Sequence, residues 1–149
     1  MRRRLALAIA AICVTASSAL AQESETTPEE SAIRAVVLGF KAALAGGDST
    51  AAIGYLHPDL VVYEAGHAES LAEYRSGHLG ADMEFAAAVA TQPVEQGLIV
   101  REDMALWVSE GESRGEFRGR QIESHGTETI VLIPTDAGWK ILHVHWSSR

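Results

Sequence analysis

Two histidines two positions apart, His143 and His145, lie in the last apolar stretch of the chain, Trp139-Lys140-Ile141-Leu142-His143-Val144-His145-Trp146-Ser147-Ser148. Successive strand residues point to opposite faces, so both imidazoles are expected on one face with Trp139, Ile141 and Ser147, about 7 Å apart. Imidazole changes charge near neutral pH and ligates metals well, so such a pair suits proton transfer or ion binding.

A second constellation follows Ser70-Leu71-Ala72-Glu73, where Ser70 and Glu73 have capping-box spacing. Placed on a helix at about 100° per residue, Leu71, Tyr74, Arg75, His78, Asp82 and Phe85 fall in one stripe. Three ionisable groups then occupy a face expected to be buried, and buried charges need partners. Two readings stay open: the stripe lines a polar cavity, or Arg75, His78 and Asp82 form a self-satisfied network that locks the helix. In the cavity reading His78, Asp82 and Tyr74 are the catalytic candidates. His143, His145, Arg75, Glu64, Trp139 and Thr129 are the ligand-binding candidates, with Trp139 and Ile141 as an apolar wall. His67 and His57 read as a solvated turn residue and a helix-end residue.

No cofactor motif stands out. His-x-His by itself is a weak metal signal, and no His-Glu-x-x-His spacing is present. A divalent metal held by His78, Asp82, His143 and His145 is the alternative, provided the helix lies over the final strand.

Several elements must position these groups. Thr27-Pro28-Glu29-Glu30 opens a helix with a cap, a proline at its first position and a capping glutamate. Ile33, Val36, Val37, Phe40 and Leu44 continue along one face until Gly46-Gly47. Asp48 caps a short second helix that ends before His57-Pro58. Leu60 to Glu64 is a short strand, and the third helix follows. After Ala90 the period becomes two: strands over Pro93–Val100, Met104 towards Phe117, His125–Ile133 and the final stretch, with 114–120 a loop or a frayed hairpin end. Pairing Ile133 with Trp139 would set Thr129 against His143 and Thr127 against His145.

The N-terminal segment concerns location. Arg2, Arg3 and Arg4 precede an apolar run from Leu5 to Val14 and small residues ending Ala19-Leu20-Ala21, the pattern of a secretory signal peptide over 1–21. Residues 22–28 read as an acidic tether and 29–149 as one domain. Cleavage after Ala21 removes three of 12 basic residues and none of 20 acidic ones, leaving a formal charge of −11. That argues against nucleic acid and anionic membranes as partners. Cys13, the only cysteine, falls within the leader, so the domain can form neither a disulfide nor a thiolate metal site. A periplasmic or secreted protein is expected.

The helical hairpin, the strand Val61-Val62-Tyr63-Glu64, a third helix and a four-strand meander ending Gly138-Trp139-Lys140-Ile141-Leu142-His143-Val144-His145 together resemble the nuclear transport factor 2-like superfamily. The resemblance is to its SnoaL-like branch and to the association domain of calcium/calmodulin-dependent kinase II. It implies an α+β fold: a cone-shaped, curved antiparallel sheet and three N-terminal helices enclosing a pocket, in a homodimer formed through the outer sheet face. It implies either small-molecule binding or acid–base chemistry of the isomerase, dehydratase or cyclase type on a small apolar substrate.

Overall fold

The computed structural model describes residues 26–149; the expected leader and most of the tether lie outside them. The first helix, α1 (Pro28–Ala45), starts as its cap predicts: Thr27 accepts from the Glu30 amide while the Glu30 carboxylate accepts from the Thr27 amide. Ile33, Val37, Phe40 and Leu44 form its buried face. Removing a side chain of the size of Phe40 or Leu44 from water contributes roughly 1.5–3 kcal/mol. Asp48 caps α2 (Ser49–Gly54), accepting from the Ala51 amide.

Next come β1 (Leu56–Glu64), β2 (His67–Ser70), α3 (Leu71–Ser76) and α4 (His78–Ala88). The meander then follows as β3 (Val89–Val100), β4 (Ala105–Phe117), β5 (Arg120–Thr135) and β6 (Gly138–Ser148). All six strands form one curved sheet in the order β2-β1-β6-β5-β4-β3. Every pairing is antiparallel except β1 with β6, which is parallel. The fold is therefore α+β as expected, with one parallel seam where the first and last long strands meet.

Four details differ from the sequence reading. The third helix is two helices, because Gly77 (φ −114°, ψ −93°) ends α3 and restarts the chain as α4. The early strand begins at Leu56 and gains β2 as an antiparallel partner. Of the two readings of residues 114–120 the hairpin end holds, paired rather than frayed: β4 runs to Phe117, and Arg118 (φ 50°) with Gly119 (φ 75°) makes a two-residue turn into β5.

The fourth difference is the last hairpin. Pro134 pairs with Trp139, Leu132 with Ile141 and Val131 with His143, so Leu142 has no partner across the ladder and forms a β-bulge. The inserted residue reverses the inward–outward alternation of β6. Ile141 and Val144 are both fully buried, and Trp146 stacks on Phe40 of α1 with ring centroids 6.5 Å apart. His143 and His145 consequently face away from the helices and no longer share a face with Ile141.

The core lies between α1 and the inner sheet face, where Val62, Val144, Ile130 and Trp107 make one transverse apolar row. The adjacent row is polar. In it Glu128 accepts from Trp146 Nε1 at 2.8 Å and Ser109 Oγ at 3.1 Å, and pairs with Lys41 of α1 at 2.5 Å.

Candidate functional site

The sheet edge at β1 and β2 carries the site. Leu60, Val62 and Glu64 alternate on the inner face of β1, and Val61 and Tyr63 on the outer face. Glu69 pairs with Val62 and so also faces inward from β2. Helix α3 packs over this edge, and α4 starts beside it at His78. The start of α3 is set by the Ser70–Glu73 capping box, whose hydrogen bonds hold the Glu73 carboxyl below the usual range. Gly77 ends α3, with its amide donating to the Glu73 carbonyl at 2.8 Å.

Across that break, the Tyr74 hydroxyl donates to Asp82 Oδ2 at 2.8 Å. Tyr74 is fully buried, and burial beside the Asp82 carboxylate pushes its phenol well above its ordinary range. Tyr74 thus remains a donor at any physiological pH. Burial also raises the Asp82 carboxyl, partly opposed by the Tyr74 hydrogen bond and the nearby His78. Glu64 is raised as well, first by burial, then by repulsion from Asp82, with His78 opposing. Repulsion from Asp82 thus adds to burial in keeping the Glu64 carboxyl protonated to higher pH.

His78, the first residue of α4, places Nδ1 2.6 Å from Glu69 Oε2, and that bond and charge raise the imidazole above its ordinary value. The four groups from β1, α3 and α4 anticipated from sequence, Glu64, Tyr74, His78 and Asp82, therefore come together. Glu69 was missed. It sits in a four-residue strand read as a turn, and only the β1–β2 pairing turns it inward.

The other candidates lie elsewhere. Arg75 is exposed, because α3 buries Tyr74 and its neighbour in sequence points about 100° away around the helix. Trp139, paired with Pro134, packs against the core at the opposite end of β6. His143, His145 and Thr129 are on the outer face, where Thr129 pairs with His145. Tyr63 makes edge contacts with both imidazoles, at 5.2 Å and 6.2 Å, and His143 Nδ1 lies 2.9 Å from the Val61 carbonyl. His145 does approach the inner cluster at one point. With Tyr63, Glu64, Gly66, His67 and Ala68 it lines a shallow open groove of about 250 Å³. The four proposed metal ligands are split between the two faces of the sheet. Among the described residues no three His, Cys, Asp or Glu side chains converge as a metal site.

A SnoaL-like domain model matches residues 33–149, most of the chain. The chain belongs to the SnoaL-like domain family. Its structure is similar to that of a proposed ketosteroid isomerase from Shewanella frigidimarina, at 38% identity and a TM-score of 0.76, over 80% of this chain and 98% of that one. It is also similar to the hub of calcium/calmodulin-dependent kinase II from S. rosetta, at 20% identity and a TM-score of 0.70, over 83% of this chain and 98% of the other. An NTF2-like protein with a cystatin-like fold from Novosphingobium aromaticivorans matches at 15% identity and a TM-score of 0.63, over 79% and 80%. The last two likenesses concern the fold alone. No curated protein matches the chain.

Proposed function

We propose that this SnoaL-like protein binds a small, largely apolar molecule at the β1–α4 edge and moves a proton on it, as an isomerase does. The observation that carries the reading is the buried Tyr74 hydroxyl on Asp82 at 2.8 Å, with Glu64 raised alongside it. Shifting a double bond into conjugation with a ketone needs a carboxylate to take a proton from the intervening carbon. It also needs a neutral donor to hold the enolate oxygen until the proton returns further along. Two carboxyls raised by burial offer both capacities, the one that ionises first taking the proton and the one still protonated donating to the enolate oxygen, while Tyr74 keeps its bond to Asp82. The Shewanella relative, at 38% identity, supports the same reaction type.

The test is conjugation of a β,γ-unsaturated cyclic ketone, followed by ultraviolet absorbance. The reading expects turnover with a bell-shaped pH profile that Asp82→Asn and Glu64→Gln each depress by about 10²-fold or more. Saturable thermal stabilisation without turnover would reduce the function to ligand binding.

Two further features belong to this reading. Export by the 1–21 leader would place the reaction in the periplasm or medium, which an N-terminal sequence of the protein recovered from its host would check. The outer sheet face exposes Val61, Tyr63, Ile99 and Val108, an apolar strip suited to a homodimer. In that dimer His143, His145 and Thr129 would be interface groups, His145 also reaching the groove.

A further inference from the structure

His78 and Glu69 are joined more tightly than a solvent-exposed pair requires, and their placement follows from backbone features. Gly77 breaks the helix so that His78 begins α4 and reaches back to β2, where the β1–β2 ladder has turned Glu69 inward. The Glu69 side chain is 17% exposed and that of His78 51%, so the carboxylate is the fixed partner and the ring the wet one. Nδ1 is taken by Glu69 at 2.6 Å; Nε2 has no protein hydrogen-bond partner among the described residues. Asp82 lies four residues on, hence on the same helical face as His78. The charged and titratable groups around the ring are Glu69 from β2, Asp82 from α4 and Glu64 from β1, with the Tyr74 phenol from α3 behind Asp82.

We propose that Glu69 is a positioning residue that makes His78 the proton port of the carboxyl pair. It fixes the ring with Nδ1–H towards the sheet, leaving Nε2 to trade protons between water and the Asp82–Glu64 cluster. The inference rests on the site assigned above but not on its reaction. Each transfer is simple: Nε2–H of the imidazolium gives its proton to water or to a carboxylate, and the neutral ring recovers one at the same nitrogen. Glu69 keeps the Nδ1–H bond throughout and never carries the transferred proton. The arrangement also explains why a histidine half open to solvent is tied so closely to a carboxylate. Surface pairs of this kind contribute little stability, so its use lies in orientation.

The experiment is long-range ¹H–¹⁵N imidazole spectroscopy on the whole protein, paired with ¹³C titration of the Asp82 and Glu64 carboxyls. In the parent, His78 should be the Nδ1–H tautomer when neutral, and the Asp82 carboxyl should show a second inflection at the His78 midpoint. Glu69→Gln should abolish the tautomer preference and move the His78 midpoint down, with the Asp82 inflection moving to the same pH. Glu69→Asp should keep the preference. His78→Gln should erase the inflection and raise the carboxyl midpoints, since a neighbouring cation has been removed. An Nε2–H tautomer in the parent, or an Asp82 curve without any His78 inflection, would overturn the proposal. These readouts require no turnover, so failure of the isomerase reading and failure of the port are distinguishable.

Discussion

Tyr74 and Asp82 are eight residues apart and in different helices, yet the phenol donates to the carboxylate at 2.8 Å because Gly77 bends the chain between them. The bond is the polar contact on which the site is built. Tyr74→Phe leaves a half-buried carboxylate without its donor, an omission worth about 1–3 kcal/mol. Urea denaturation should show that loss at neutral pH, and the Asp82 carboxyl should titrate still higher.

The pH dependence of stability has a defined sign. Asp82 and Glu64 are raised in the folded state above ordinary values of 3.8 and 4.5. Their contribution is therefore fully present below those values and is lost as pH climbs through the raised ones. Relative to Asp82→Asn/Glu64→Gln, the parent should lose ground in thermal unfolding as pH rises from the ordinary carboxyl values through the raised ones. A stability difference that is flat in pH would contradict the shared desolvation of the pair.

Glu128 ties α1 to the sheet through Lys41 while accepting from Trp146 and Ser109. Glu128→Ala strands an indole N–H and an ammonium together and should cost about 2–4 kcal/mol, chiefly from the uncompensated groups. Glu128→Gln, which still accepts hydrogen bonds, should cost less than half as much by chemical denaturation.

Gly115 is a position where size is forbidden. A Cβ there would stand 2.6 Å from the Ala88 carbonyl oxygen and 2.9 Å from Val89 Cα, both backbone atoms. Gly115→Ala must push the α4–β3 junction off β4, at about 1–3 kcal/mol. Differential scanning calorimetry should register it, whereas Gly54→Ala, with open space around it, should change the melting temperature little.

The outer face offers a stability-neutral test of assembly. Val108 is 39% exposed, so Val108→Glu should alter folding by less than about 0.5 kcal/mol. Sedimentation equilibrium should nevertheless show the proposed dimer weakened at least tenfold, and a parent that sediments as a monomer would remove the dimer from the reading. An unchanged dimer would move the interface elsewhere.

The helix caps at Thr27, Asp48 and Ser70, the buried face of α1 and the four-strand meander were legible because each rests on local chemistry: a side-chain oxygen at a helix start, or a hydrophobic period. The helical members Tyr74, His78 and Asp82 were legible as a group from their i, i+4 and i, i+8 spacing, but their direct contact depends on the break at Gly77, which spacing alone does not show. Arg75 was misplaced because the stripe was drawn wide enough to hold both it and Tyr74, and α3 buries only Tyr74. Glu69 was invisible because β2 has four residues and no hydrophobic alternation, so its facing is decided by its ladder with β1. The histidines were assigned to the wrong company because strand parity holds only without insertions, and nothing in Ile141-Leu142-His143 marks Leu142 as unpaired.

That extra residue has a consequence for comparing relatives. In a regular strand, substitution alone cannot exchange the duties of the two faces, whereas a single inserted residue does so for everything downstream. A relative lacking the counterpart of Leu142 would carry the residues aligned with His143 and His145 on the helix side of its sheet. Aligned column by column, the two proteins would appear to share a His-x-His signature that points into the interior of one and out of the other. The motif should be compared among SnoaL-like domains only after the bulge has been located in each.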